Sequence, residues 1–393
     1  MTYSVAAKRA VRVPTSLLRQ TTLTTGISSP ACRGCRPFHA SGKDKAVEAI
    51  EAVDSRAHPA QVAASSSLFG RSRTAPSPLR PVPGSTQLDV HRQLYRPGFY
   101  ETVARIMKLR ARYIEDRAVF IESRDMLPLL LGLGADPGDL AGMQTVSDRL
   151  YHDPTLPFRR SRNGRFCIDF DTRSLRRLEF QPFKLTAEED FKRHDSGQLR
   201  RFDEVQDELQ LNSVFQALFA FKALMLHGVP TTQRPKLSYD SQKWVCTLFN
   251  LRTVTTPELV GEPALEGVHS DGVDHTMTTF LSSNNMVPGS AATFMHDMAE
   301  TTGIPLSDVS PHHILSRVQH KTFLDTLLIV DHERKHSLSP VCAIDESRHA
   351  TRDMLVFFTR KPVEASHVSG SIDSLKPHRE MPMEIPLYVP AAL

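Results

Sequence analysis

The apolar pattern predicts a mainly β protein with flanking helices: a helical N-terminal part, then a barrel or jelly roll wrapped by helices. Helical spacing is concentrated before Pro154 and in one later stretch, Asp203–Gly228. From Pro154 onward, short alternating or apolar runs follow one another between Pro and Gly turns. Neither an internal repeat nor a heptad run competes with that reading.

Residues 1–43 hold seven basic residues and no Asp or Glu, with frequent Ser and Thr. That is the composition of a mitochondrial targeting peptide, and Arg36-Pro37-Phe38-His39-Ala40-Ser41 has the character of a processing site. The expected location is the mitochondrial matrix; a cytoplasmic protein with a basic tail is the alternative. Cys32-Arg33-Gly34-Cys35 is a lone C-x-x-C without the second pair a zinc site needs. Residues 44–93 read as a disordered linker, because Ser65–Ser85 is dense in Ser, Pro, Gly and Arg.

Residues 94–153 form the expected N-terminal helical region. Phe99, Val103, Ile106, Met107, Tyr113 and Ile114 fall at helical spacing within Phe99–Ile121. Asp125–Leu133 is a second apolar run, broken by Pro128, and Gly132–Asp139 reads as a loop. Residues 154–393 are the expected β domain. Phe158–Phe170 reads as two strands around a turn at Asn163-Gly164, with a further strand at Arg177–Phe183. The wide apolar surface of Asp203–Gly228 predicts a helix packed on a sheet. Strands follow at Trp244–Val254, Gly267–Ser282, Ala291–Met295, Phe323–Val330, His336–Val341 and Met354–Thr359.

Glu266-Gly267-Val268-His269-Ser270-Asp271-Gly272-Val273-Asp274 carries the chemistry. In an extended chain residues two apart share a face, so His269 and Asp271 can reach one point. Fe(II) accepts that nitrogen and oxygen pair and needs one more His to complete a facial triad. Among seventeen His, element placement favours His336, which opens a strand, over His332 in the charged turn before it. Arg352 stands sixteen positions on, at the head of an apolar strand. Turned inward, it needs a carboxylate: that of a bound dicarboxylate, or of Asp353 or Asp345 in an ordinary salt bridge.

These stretches, with Asn284-Asn285, Asp331, Ser337–Pro340 and Arg352–Val356, resemble the iron(II)/2-oxoglutarate-dependent dioxygenase family typified by bacterial L-isoleucine 4-hydroxylase. The resemblance runs from about Pro154 to Thr359. It implies a double-stranded β-helix (jelly-roll, cupin-like) core with His269, Asp271 and His336 as catalytic metal ligands. It also implies Arg352 as the residue binding the far carboxylate of 2-oxoglutarate. The cofactor and cosubstrates would be Fe(II), 2-oxoglutarate and O2. The enzyme would be a hydroxylase of an aliphatic C–H, acting on a free amino acid or similar small molecule, with succinate and CO2 as co-products. Pro288-Gly289-Ser290, His332 and His275 depart from the family's usual pattern, and all three lie on segments near the expected mouth of the barrel. Arg252, Asn250 and Asp274 are further candidates for substrate or cosubstrate contact.

Composition bounds the partners. A formal charge of +4 over 393 residues, much of it N-terminal, gives no basic stripe for nucleic acid. Met126–Leu133 and Phe215–Met225 are too short to cross a membrane. The rival readings are a catalytically inactive jelly-roll binding module, a cupin-like metal enzyme without 2-oxoglutarate, and a hydroxylase of a protein side chain. Sequence is silent on the oligomeric state.

Overall fold

The computed structural model describes residues 87–184 and 197–390; the targeting-peptide expectation, the C-x-x-C and nearly all of the linker fall outside them. Its strands, in chain order, are β1 (Ala118–Ile121), β2 (Tyr151–His152), β3 (Arg159–Asp169), β4 (Ser174–Leu178), β5 (Phe183–Lys184), β6 (Leu199–Arg200), β7 (Lys243–Thr255), β8 (His275–Asn284), β9 (Thr293–His296), β10 (Ile314–Val318), β11 (Thr326–Val330), β12 (Lys335–Leu338), β13 (Ala350–Arg360) and β14 (Glu384–Pro386). Among the described residues, nine of them make one antiparallel sheet in the order β1-β11-β8-β13-β7-β3-β4-β14, with β2 on β3. A second sheet, β10-β9-β12, lies opposite part of it, with Met295 of β9 packed against Leu327 and Ile329 of β11. Two antiparallel sheets with a shared interior are the jelly roll that the sequence predicts.

Strand β13 sets the architecture because both its faces are covered. Arg352, Met354, Val356, Phe358 and Arg360 face the space between the sheets. Leu355 and Phe357 alternate to the other side, into the main core. There the helix Ser213–Leu226 lies against the sheet with every one of its residues buried. Phe357 meets Phe219 edge-on at 5.2 Å and Phe215 at 6.2 Å. The helix begins at Asn212, whose side chain accepts from the Val214 and Phe215 amides. It is shorter than the expected Asp203–Gly228, since Asp207–Gln210 forms a separate turn before that cap.

The outer face of this helix is covered in turn by Pro97–Asp116 and Ser123–Leu133. The former starts on Pro97 and ends at Arg117, whose φ of 62° turns the chain out of the helix. Residues 118–121, expected as helix, instead form β1 and pair with β11. The N-terminal helical region is thus joined to the β domain by a shared sheet and a shared core. The folded part also starts earlier than Leu94, with Leu88 and Val90 already buried. Pro128 does not break its helix. It sits on the exposed face, and the carbonyl its ring displaces, that of Arg124, belongs to an exposed residue.

Asn163-Gly164 is no turn: β3 runs through it without interruption, paired with β7 over eleven positions. Side chains stack there, since Gly164 admits Phe166 and the Arg177 guanidinium close to its backbone. Gly267–His269 and the residues up to Asp274 precede β8 rather than belonging to it. Strands β10 and β14 carry too little apolar alternation to be read from sequence.

One buried cation belongs to the scaffold. Lys222 is fully buried, donates to the Phe357 carbonyl at 3.2 Å, and has its ammonium pushed down to about 8 by burial. Below pH 8 it is charged in both folded and unfolded protein, and the burial cost is present in full. Between pH 8 and the ordinary 10.5 the unfolded chain binds more protons, so stability rises with pH. Lys222→Met is expected to be more stable than wild type near pH 7, on the order of 2 kcal/mol. Urea unfolding at pH 7 and 9.5 checks this; an unchanged gap between the two proteins would contradict it.

Candidate active site

Backbone pairing brings the three expected donors together. His269 and His336 exchange both backbone hydrogen bonds, at 2.9 and 2.8 Å, and so stand opposite each other on neighbouring extended segments. Their rings lie 4.4 Å apart. Asp271, two residues after His269, puts Oδ1 3.4 Å from His269 Nε2 and 3.6 Å from His336 Nε2. All three donor atoms fall within 4.8 Å of one another, and no other such group of His, Cys, Asp and Glu occurs among the described residues.

Two glycines shape the segment. Gly267, at φ +74°, passes so close to the Ile304 carbonyl that a Cβ would approach it to 2.3 Å. Gly272, at φ +76°, turns the chain immediately after Asp271. The donors are then oriented from behind. His269 Nδ1 lies 2.9 Å from the Gly267 carbonyl and donates to it, which turns Nε2 toward Asp271. Thr276 donates to Asp271 Oδ2 at 2.7 Å, leaving Oδ1 to the imidazoles. Fully buried Asp331 accepts from the amides of Asp271 and Val273 at 2.8 and 3.3 Å, which fixes the loop.

Asp271 and the two imidazoles are tightly coupled electrostatically. Burial would raise the Asp271 carboxyl, but the imidazoles of His336 and His269 hold it far below the carboxylate range. Burial would lower His269, but the hydrogen bond and charge of Asp271 lift it to about 9. Two nitrogens and one carboxylate oxygen on one side, with the other side open to a cavity, fit an octahedral first-row metal with free positions.

The cavity is about 190 Å³ and lies between the sheets. His269, Asp271 and His336 line it, and so does Arg352. Arg352 is 4% exposed, and burial pushes its guanidinium down to about 10, still charged at neutral pH. Its Nε has no partner, and it makes no ion pair among the described residues. The salt-bridge alternative fails for a stereochemical reason. Asp353 points to the opposite face of β13, where Arg252 grips it at 2.7 and 2.8 Å and Ser282 donates at 2.7 Å. Asp345 lies in an exposed turn held by Ser347.

Three other sequence candidates do not line the cavity. Arg252 is the partner of Asp353 and Asp148, and Asn250 is tied to Ser147 and the Val146 carbonyl. Asp274 accepts from the Tyr239 hydroxyl at 2.5 Å and the Lys361 amide at 3.0 Å. His275, a departure from the pattern, points away from the metal site and bonds the Tyr113 hydroxyl at 2.8 Å. His332, the rejected distal ligand, lies outside the donor group. Sequence reasoning missed Thr276 and Thr278, whose even spacing on β8 puts both in the cavity wall, and also Glu266, Arg165 and Asp373. The alternation of β8 was the available signal for the first two; Asp373 comes from the long connection between β13 and β14, which no pattern marks.

The sequence model of the 2OG-Fe dioxygenase family matches residues 144–358. The bifunctional enzyme flvA of Aspergillus flavus is 48% identical over 302 residues, which are 77% of this chain and 37% of that protein. The chain therefore spans little more than a third of that curated relative. The solved structure of the Fe(II)/α-ketoglutarate-dependent dioxygenase TqaL is 60% identical, with a TM-score of 0.66, covering 75% of this chain and 100% of that one. The structure of IDO from Bacillus thuringiensis has a TM-score of 0.50 at 15% identity, over 65% of this chain and 99% of that one, a likeness of fold alone.

Proposed function

Since the chain belongs to the 2OG-Fe dioxygenase family, whose cofactor and cosubstrates are Fe(II), 2-oxoglutarate and O2, we propose that it hydroxylates an aliphatic C–H of a free amino acid or similar small molecule. In this reading His269, Asp271 and His336 hold the metal, and Arg352 receives the far carboxylate of 2-oxoglutarate. The observation that carries it is a buried, unpartnered guanidinium in the same cavity as a two-imidazole, one-carboxylate donor set. When bound, iron and 2-oxoglutarate supply the oxidising power, with succinate and CO2 as co-products.

The chain's own residues do the rest. Gly267 and Thr276 hold the donor side chains in the orientation that metal binding needs. Phe249, Leu251, Val356 and Phe358 give the cavity apolar walls, which suit an aliphatic side chain and limit water around the reacting centre. Glu266 and the mutually paired Arg165 and Asp373 give the same cavity a polar end, which suits the charged groups of an amino acid.

With Fe(II) and ascorbate, the purified protein is expected to convert 2-oxoglutarate to succinate, faster when its amino-acid substrate is present. A mass-spectrometric screen of free amino acids and short peptides should find a gain of one oxygen in the former. Oxygen gained only by peptides would sink the substrate class while leaving the family chemistry intact.

A further inference from the structure

His320 is a buried histidine on the cavity side of the sheet with no part in metal holding. It is 1% exposed and packs edge-on against Phe120 at 5.3 Å and 83°. Its Nε2 lies 3.2 Å from the hydroxyl of Thr278, and Nδ1 is buried with no hydrogen-bond partner. Burial, with Arg352 nearby adding to it, pushes the ring down to about 3, so it is neutral at any working pH.

A neutral imidazole carries one N–H and one bare nitrogen. Placing the N–H on partnerless Nδ1 would bury an unsatisfied donor, a rare and costly arrangement. The proton therefore belongs on Nε2, which donates to Thr278 Oγ1. That choice decides what Thr278 does. Its oxygen is engaged as an acceptor, so its own O–H is free to donate elsewhere. Thr278 lines the cavity that Arg352 also lines, and no other described side chain bonds its hydroxyl.

We infer that His320 is a positioning residue that turns the Thr278 hydroxyl proton into the cavity, where with Arg352 it binds the far carboxylate of the 2-oxo dicarboxylate. The opposite tautomer would make Thr278 donate to His320 and present only lone pairs to an anion. The inference rests on the reading of Arg352 proposed above.

Calorimetric titration of 2-oxoglutarate into the full-length Mn(II)-loaded protein tests it. Thr278→Val and His320→Phe are each expected to weaken 2-oxoglutarate about tenfold, by loss of a hydrogen bond to a charged group. Thr278→Ser and His320→Gln, which keep an O–H and an N–H donor, should restore most of the affinity. None should change the affinity for 2-oxobutyrate, which has the chelating end and lacks the far carboxylate. The imidazole ¹⁵N shifts of His320 should identify Nε2 as the protonated nitrogen. Wild-type affinity in Thr278→Val, equal weakening of both oxo acids, or a proton on Nδ1 would overturn the inference. If Arg352→Met also left 2-oxoglutarate binding unchanged, the Arg352 reading itself would fall; if it weakened binding, only the role of His320 would.

Discussion

Asp271→Ala is expected to abolish succinate formation and Fe(II) binding together, and His269→Ala to do the same. Asp271 is the only anion in the donor group, and both imidazoles approach its Oδ1 within 3.6 Å. Removing it leaves two rings 4.4 Å apart with no negative charge between them, and leaves Thr276 without its acceptor. Loss of a group that only orients a ligand costs about 10–100-fold in metal affinity or activity, so loss of a ligand should cost more. Anaerobic equilibrium binding of Fe(II), read beside turnover, is the measurement. Turnover near the wild-type rate in either variant would mean that the metal is held elsewhere. Retained iron with lost turnover would instead assign the side chain to a later step.

What made this site legible was its dependence on local geometry. His269 and Asp271 are two residues apart in extended chain, so their convergence needs no knowledge of tertiary structure. His336 could be placed on a strand, although only the backbone pairing of His269 with His336 brings it to the site. Arg352 was legible because an Arg at the head of an apolar strand demands a partner. The choice of partner was not, since it turns on which face of β13 each residue takes. The misread elements share one cause. Asn163-Gly164 has the composition of a turn, but pairing with β7 over the whole strand outweighs that local preference. Residues 118–121 continue a helical pattern, but Arg117 leaves the helix and β11 offers them an edge. Asn250, Arg252 and Asp274 are polar residues near the site in sequence, each satisfied by a partner on the far side of the sheet or in a loop. Tertiary partners decided these cases, and a lone sequence does not contain them.

Arg352→Met is expected to have two effects of opposite sign, and together they separate its possible roles. Without ligand, wild type buries a guanidinium that no described carboxylate neutralises. An apolar side chain of similar length removes that cost, so the ligand-free variant should unfold at higher urea, by about 1–3 kcal/mol. A structural salt bridge would give the reverse, because its loss would strand a buried carboxylate. The same substitution removes a cation from the place where the far carboxylate of 2-oxoglutarate is proposed to bind. Truncating one partner of a buried charge pair costs about 2–5 kcal/mol, so the 2-oxoglutarate requirement should rise by on the order of a hundredfold. Iron content should hold, since Arg352 is not among the donors. Steady-state kinetics against 2-oxoglutarate, metal analysis and urea unfolding on one preparation give all three values. A variant that is less stable, or that loses iron in proportion to activity, would make Arg352 part of the scaffold and leave the cosubstrate's carboxylate to be placed elsewhere in the cavity.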